Sequence, residues 1–294
     1  MFKKSIIKRI LACLPDKYYL QVLYFYHNKR WINYAKPTTF NEKLQWLKLN
    51  DRNPLYSICV DKYRVKEYVS EKIGQKYIIP TIGVWDSVDD INFDELPNQF
   101  VLKTTHGGGG NGVVICKDKK SLNIKDLKEK LRKALLFDQY KEYREWPYKN
   151  VPHRIIAEEF IEDKNDSGDL PDYKFFCFNG EPRYCQVIRD RSTKETIDFY
   201  DMDWKHMSFI GLNTKCKNGI TPVKRPMNLE NMKRACRVLA NDIPFARIDL
   251  YEVNGKEYFG EITFYPAGGF GTFAPSEWNS KLGDLLSLEG VSGG

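Results

Sequence analysis

The sequence predicts an α+β protein in which a short basic helical segment precedes strands paired mainly as antiparallel hairpins. Three observations carry this reading. Helical periodicity dominates residues 2–70, the chain turns strand-rich from residue 77 onward, and strands are joined by short turns such as Asn179-Gly180. With 294 residues, 42% hydrophobic and 14% aromatic, the chain can bury a substantial core in one large domain or two smaller ones.

The charge is unevenly placed. The whole chain carries +7, yet residues 1–50 alone hold ten Lys or Arg (3, 4, 8, 9, 17, 29, 30, 36, 43, 48) against Asp16 and Glu42. The basic character therefore belongs to the N-terminal segment, residues 1–55. At its start Phe2, Ile6, Ile10 and Leu14 recur every four positions, with Ile7 and Leu11 beside them and Lys3, Lys4, Lys8 and Arg9 largely opposite. Such a cationic amphipathic helix over residues 1–14 suits either an anionic membrane surface or a docking site on the protein's own body.

Several classes are argued against. The aromatics here form apolar runs (Tyr18-Tyr19, Tyr24-Phe25-Tyr26) without a basic-aromatic reader motif, so no nucleic-acid partner is expected. No apolar run approaches the roughly 20 residues of a membrane span. The N-terminus lacks the apolar stretch and cleavage site of a secretory signal. Seven scattered cysteines (13, 59, 116, 177, 185, 216, 236) include no CxxC pair, so neither a disulfide framework nor a zinc site is expected. The expected compartment is the cytoplasm, peripheral at the inner face of the membrane if residues 1–14 bind lipid.

The elements follow in order. Pro15, Lys36-Pro37 and Asn53-Pro54 break the early helices, and Thr39, three residues before Glu42, fits a capping box that opens the next one. A helix over 61–73 ends near Gly74. Strands are expected at 77–79, 82–85, 100–104 and 113–116, then a charged helix over 124–136 and a polar, aromatic loop to Val151. The second half opens on a strand over 155–161, and a polar turn over 163–169 leads to strands 173–178 and 183–189. A strand at 197–200, a helix over 229–241 and a last hairpin, 246–251 with 257–264, complete the order; residues 287–294 read as a flexible tail.

Two segments could carry chemistry. Lys103 stands in the strand Phe100-Val-Leu-Lys-Thr-Thr-His106, and Gly107, Gly108, Gly109, Gly110 and Gly112 follow. Glycine amides approach phosphate oxygens with no side chain in the way, and a lysine adds a point charge. No Gly-Lys-Ser/Thr closes the loop, and a strand follows where a dinucleotide motif needs a helix. The pattern reads as a flap over a nucleotide or as a flexible hairpin tip. In the last hairpin a three-residue loop, 254–256, would set Asp249 opposite Glu261 and Arg247 opposite Thr263, with Cβ atoms about 5 Å apart. A two-residue turn at Asn254-Gly255 would point the carboxylates to opposite faces. The three-residue loop is expected, with Ile248, Leu250, Ile262 and Phe264 facing the core. Carboxylates that close call for a cation, either Mg²⁺ on hard oxygen donors or Arg247 as an ion-pair partner.

Taken in order, Asp61-Lys62, Lys103 with its glycine loop, Glu158-Glu159-Phe160-Ile161, Arg247-x-Asp249 and Glu261-x-Thr263 resemble the ATP-grasp superfamily. More narrowly, Phe40-Asn-Glu-Lys-Leu-Gln-Trp46, Val60-Asp-Lys-Tyr63, Phe100–His106 and Asp172-Tyr-Lys-Phe-Phe-Cys-Phe-Asn-Gly180 are similar to its TupA-like branch. That branch is associated with teichuronopeptide and bacterial surface-polysaccharide synthesis. The resemblance, running from residue 38 to 276, implies an ATP-grasp fold: subdomains at 56–157 and 158–286 clasping ATP, behind the helical segment 1–55.

It also implies roles. Lys62 would reach the nucleotide phosphates, and Lys103 would hold the α/β-phosphates under the flap at 107–112, with His106 at its root. Glu158, Glu159, Phe160 and Ile161 would form the hinge that binds adenine, Glu158 toward the exocyclic amine. Asp249 and Glu261 would bind Mg²⁺ together with Thr263, which stands where family members usually have asparagine; the departure bears on a second metal. Lys174, Arg189, Arg191 and Arg247 are candidates for γ-phosphate or acceptor contacts. The implied activity is ATP- and Mg²⁺-dependent carboxylate–amine ligation through an acylphosphate. It would join an amino acid to a uronic acid or amino sugar, presented as a sugar nucleotide or lipid-linked saccharide. The alternatives are a glycan kinase, or a glycosyltransferase of the same pathway in which Asp201-Met-Asp203 serves as a DxD metal motif.

Overall fold

The computed structural model describes residues 11–108, 112–162, 170–189 and 194–291. Most of the amphipathic pattern over residues 1–14, Gly109 and Gly110, the turn over 163–169, Arg191 and the last three residues of the tail lie outside the described residues. From Asp16 the described residues form α1 (Asp16–Asn28), α2 (Phe40–Asn50), α3 (Leu55–Cys59) and α4 (Val65–Ile73). Then come β1 (Thr81–Trp85), β2 (Phe100–Thr104), β3 (Val113–Cys116), α5 (Ile124–Leu135), α6 (Gln139–Tyr143) and β4 (Ile155–Glu159). The second half holds β5 (Asp172–Phe178), β6 (Glu181–Arg189), β7 (Thr196–Asp201), β8 (His206–Met207), β9 (Ile210–Leu212) and α7 (Leu229–Leu239). It closes with β10 (Phe245–Val253), β11 (Lys256–Thr263), β12 (Thr272–Ala274) and α8 (Trp278–Leu285).

Two antiparallel sheets form the α+β frame. The smaller runs β1-β4-β2-β3 and the larger runs β11-β10-β5-β6-β7-β8, while β9 and β12 pair separately. Strand alternation explains the smaller sheet. Phe100, Leu102, Ile155 and Ala157 are buried on one face against Leu127 and Leu131 of α5, which leaves Val101, Lys103 and Glu158 on the other. Among the described residues no helix is long and apolar enough to cross a membrane.

The larger sheet is covered differently on its two faces. Cys177, Phe175, Cys185, Ile248 and Leu250 turn toward α7, whose Met232, Ala235, Cys236 and Leu239 are buried. On the opposite face Phe176, Phe178 and Phe245 meet the ring of Phe40 from α2, the nearest centroid 4.9 Å away at Phe245. Further along the same strands the residues on this face are Lys174, Asp172, Arg247 and Asp249. One face is thus aromatic under α2 and charged beyond it.

The helix that makes this division has the predicted capping box. The Thr39 hydroxyl accepts from the amide of Glu42, and the Glu42 carboxylate accepts from the amide of Thr39 at 3.1 Å. Phe40, Leu44 and Leu47 then fall on one side and join the core of the larger sheet. The polar residues of the helix are buried as well. Asn41 donates to the carbonyl of Gly271 at 2.7 Å, Gln45 to Gly269 at 2.8 Å, and Lys48 to Gly268 and Tyr143 at 2.7 and 2.8 Å. Helix α8 closes over the start of α2, with the amide of Asn41 donating to Asn279 Oδ1 at 3.0 Å and Lys43 to the carbonyl of Gly283 at 2.8 Å.

One expected strand is absent. Residues 77–79 do not join a sheet: Gln75–Tyr77 is a turn of 3₁₀ helix after Gly74, whose φ of 105° suits glycine alone. Tyr77, Ile78 and Ile79 are all buried, so their apolar run reports core packing and not pairing.

Candidate active site

A lysine-rich cluster lies on the open face of the smaller sheet. Lys103 and Glu158 sit on neighbouring strands, and Lys103 Nζ lies 2.5 Å from Glu158 Oε2. Lys66, from the first turn of α4, lies 2.7 Å from the other oxygen of the same carboxylate. Burial alone would raise the Glu158 pKa; Lys103 and Lys66 outweigh it and hold the carboxyl below its usual range. Lys62 comes from the turn before α4, and Asp61 explains its placement. That buried carboxylate accepts from the amides of Tyr63 and Arg64 at 2.9 and 3.3 Å and pairs with Arg154 at 3.2 Å. The Lys62 amide donates to the carbonyl of Thr105 at 2.9 Å, and its ammonium donates to the carbonyl of Gly107. Burial lowers the pKa of Lys62.

The glycine loop is pinched at its base. Thr104 donates its amide to the carbonyl of Gly112 at 3.3 Å, and a Cβ on Gly107 or Gly112 would come within 2.6 or 2.5 Å of the Thr104 hydroxyl. Glycine is required there by close approach. His106 is buried and stacks on His153, with ring centroids 3.6 Å apart and planes inclined by 2°. Burial, then the neighbouring His153, push its pKa down from 6.5 to about 4, so the ring is neutral near pH 7.

A carboxylate-rich cluster lies on the larger sheet. Asp249 does face Glu261, and Arg247 faces Thr263, as expected, but the turn is not the expected one. Asn254 and Gly255, with φ of 52° and 72°, make a two-residue turn that pairs Val253 with Lys256. A bulge between Asp249 and Leu250 leaves Gly260 as an extra residue on β11, and this shift brings Glu261 opposite Asp249. Ile248, Leu250, Ile262 and Phe264 are buried, as the alternation requires.

Arg247 ties the cluster together. Its Nε and Nη2 donate to the two oxygens of Asp249 at 2.7 Å each, and Nη2 also reaches Glu261 at 2.8 Å and Thr263 Oγ1 at 3.1 Å. Lys174 bonds Asp249 from the next strand and lies 2.8 Å from Asp172. Burial pushes the Asp249 carboxyl up to about 6 against the pull of Arg247 and Lys174. For Glu261 burial also acts upward, but Lys62, Arg247 and Lys174 prevail and hold it well below the carboxylate range. The two clusters meet here: Lys62 Nζ is 3.7 Å from Glu261 Oε2.

The donor chemistry fits magnesium. Among the described residues no three His, Cys, Asp or Glu side chains gather in a metal-binding group, so the carboxylate pair stands without a protein cage. Mg²⁺ characteristically uses one or two carboxylates and fills its remaining positions with water and phosphate oxygens. Arg247 and Lys174 supply the positive charge between these carboxylates, and a metal would share or replace those contacts.

The structure brings together Lys62, Lys103 and Glu158 in one cluster, and Lys174, Arg247, Asp249, Glu261 and Thr263 in the other. Gly107 and Gly108 stand at the root of the loop, Gly107 tied to Lys62. Glu159 is exposed, and Phe160 and Ile161 are half-buried just past the end of β4. Arg189 is not brought in. Its cross-strand neighbours put it on the α7 face of the larger sheet, where it pairs with Asp198 at 3.1 Å and donates to the carbonyl of Thr221 at 2.8 Å. Asp201 accepts from the amides of Asp203 and Lys205 at 3.0 and 2.8 Å, so Asp201-Met-Asp203 forms a polar turn at the end of β7. Sequence reasoning missed Lys66 and Asp172. The signals were present: Lys66 lies four residues after Lys62, and Asp172 shares strand parity with Lys174.

These two antiparallel sheets, with a glycine loop pinched at its root beside Lys62 and Lys103 and paired carboxylates on the last hairpin, are the frame of an ATP-grasp protein. The TupA-like ATP-grasp model matches residues 42–287, and the chain belongs to that family. Among curated proteins none matches the chain. Similar solved structures include the D-alanine–D-alanine ligase from Bacillus anthracis complexed with ATP, with TM-score 0.45 and 20% identity. That match covers 81% of this chain and 66% of the ligase. The D-alanine–D-alanine ligase from Helicobacter pylori has TM-score 0.44 and 14% identity, covering 84% of this chain and 69% of its own. The ATP-grasp ligase PsnB, complexed with minimal precursor, Mg and ADP, has TM-score 0.39 and 11% identity over 76% of this chain and 57% of its own. The chain thus spans just under two thirds of the Bacillus anthracis ligase and less of PsnB.

Proposed function

We propose that this chain is an ATP- and Mg²⁺-dependent carboxylate–amine ligase acting through an acylphosphate. Its substrates would be an amino acid and a uronic acid or amino sugar of a bacterial surface polysaccharide. One observation supports the reading above others. A cluster with three lysines and one carboxylate faces a cluster with three carboxylates and two cations, and Lys62 joins them through Glu261. Polyphosphate suits the first cluster and a divalent cation suits the second.

In this reading Lys103 and Lys62 hold the phosphates of ATP as point charges beneath the glycine loop, displacing the contact of Lys103 with Glu158. Asp249, Glu261 and the Thr263 hydroxyl would hold Mg²⁺, which when bound supplies positive charge against the phosphate oxygens. Arg247 and Lys174 neutralise charge around the transferring group. A carboxylate oxygen of the first substrate attacks the γ-phosphorus and ADP leaves. The amine of the second then attacks the acyl carbon, phosphate departs with the bonding pair, and the amide nitrogen loses its proton. No protein nucleophile is needed. Alignment and charge compensation carry the chemistry.

The test is to incubate the protein with Mg-ATP, amino acids and uronic-acid or amino-sugar acceptors, measuring ADP and free phosphate separately. ADP and phosphate in equal amounts, dependent on both substrates and lost on EDTA addition and in Glu261→Ala, is the expected result. ADP without phosphate would replace the reading with a kinase.

A further inference from the structure

The outer side of α1 carries an exposed aromatic stripe whose placement contributes little to the fold. Tyr18, Val22, Phe25 and Lys29 recur at helical spacing, with Tyr26 beside them. Tyr18 is 60% exposed, Phe25 40% and Tyr26 67%, and Trp31, just past the helix, is 56% exposed and stacks on Phe25 at 4.4 Å. The inner side does the docking. Tyr19, Leu20 and Tyr24 are buried, Arg144 lies over the Tyr19 ring at 4.2 Å, and Tyr24 packs near Phe270. Four neighbouring large aromatics in water are costly unless something covers them.

The charge around the stripe indicates what that is. Lys17, Lys29 and Arg30 flank it, and Lys29 lies over the Tyr26 ring at 5.2 Å. Between residues 11 and 37 the single acid is Asp16, which is engaged by Arg144 and Tyr140 on the inner side. From the adjacent helix, Glu42 pairs with Arg30 and is itself buried in the capping box. The exposed rim is therefore cationic. Tyrosine and tryptophan, with an apolar body and a polar tip, settle at the headgroup level of a bilayer, and lysine stems reach alongside them to the phosphates.

We propose that α1 and Trp31 form a docking surface for anionic lipid headgroups, seating the enzyme on a membrane through Tyr18, Phe25, Tyr26 and Trp31. The surface lies outside residues 1–10, and the proposal does not depend on the ligase reading. The test is co-sedimentation of the full chain with phosphatidylcholine vesicles, with and without phosphatidylglycerol. Alongside it run the triple variant F25S/Y26S/W31S and the charge variant Lys17→Glu/Lys29→Glu. The expected result is binding only to phosphatidylglycerol vesicles, weakened about tenfold or more in both variants and by high salt. Retained stabilisation by ATP in a thermal melt would show the variants folded. Equal binding by parent and charge variant, or no binding by the parent, overturns the proposal. So does a concentration-dependent dimer that the triple variant abolishes without any vesicle binding, which would assign the stripe to a second copy of the chain.

Discussion

The two charged clusters are built from the same side-chain types on the same kind of sheet, yet they are balanced in opposite senses. On the smaller sheet Lys66 and Lys103 share the single carboxylate Glu158 while Lys62 reaches across to Glu261, an arrangement short of negative charge. On the larger sheet Asp172, Asp249 and Glu261 share Lys174 and Arg247, an arrangement short of positive charge. Burial penalises both clusters, and neither balances its charges internally. The two imbalances are complementary in sign, which is what the proposed magnesium–nucleotide site would require.

That contrast can be broken at several points. The largest effect is expected from Arg247→Met, which takes away the bidentate pair on Asp249 and the contact with Glu261 and leaves only Lys174 and Lys62 as their cations. Unfolding in urea should show a loss of about 3–5 kcal/mol, and millimolar Mg²⁺ should restore more stability to the variant than to the parent. A variant as stable as the parent would mean that the carboxylates do not need the arginine.

Next comes pH. In the folded chain His106 stays neutral down to about pH 4, whereas in the unfolded chain it takes a proton near 6.5. Between those values the unfolded state binds the extra proton, so stability falls as pH falls. The full span is worth at most about 3 kcal/mol. Urea midpoints of the parent should drop between pH 7 and pH 5 by more than those of His106→Gln, and parallel curves would remove His106 as the cause.

Lys103→Met should weaken ATP binding about 10- to 100-fold, the worth of one charge-assisted contact. The urea midpoint should barely move, because Lys66 still serves Glu158. Calorimetric titration with and without Mg²⁺ would sharpen the comparison: this loss should persist without the metal, whereas any loss in Glu261→Ala should depend on it.

The smallest change is Gly260→Ala, whose new methyl would meet Tyr251 at 3.0 Å and the Asp249 carbonyl at 3.1 Å. A cost of about 1 kcal/mol is expected, read as a modest drop in melting temperature.

Much of this was legible in the sequence where the code is local. The capping box at Thr39 and Glu42, the strands at 100–104 and 113–116, and the apolar side of the last hairpin follow from spacing alone. What was not legible depends on register or on distant partners. The pairing of Asp249 with Glu261 was expected from a three-residue loop, and it arises from a tight turn plus a bulge at Gly260. Two local deviations gave the register that one would have given. Arg189 looks like any other site arginine until strand parity places it on the α7 face. Residues 77–79 show the reverse limit, since an apolar triplet reports burial without saying whether the backbone pairs. The buried Lys48 had no sequence signal at all, because its partners, Gly268 and Tyr143, lie far along the chain.

The clasp between α2 and α8 has a consequence for biogenesis. Asn41 reaches its partner Asn279 across 238 residues of chain. At ribosomal speeds of roughly 5–20 residues per second, the nascent α2 must wait roughly 10–50 s for that partner to be made. Phe40 and the phenylalanines it will cover stay available to any passing hydrophobic surface for that interval. A chain stalled before α8 would present a sticky half-product, so chaperone occupancy during synthesis should fall only once α8 has cleared the exit tunnel.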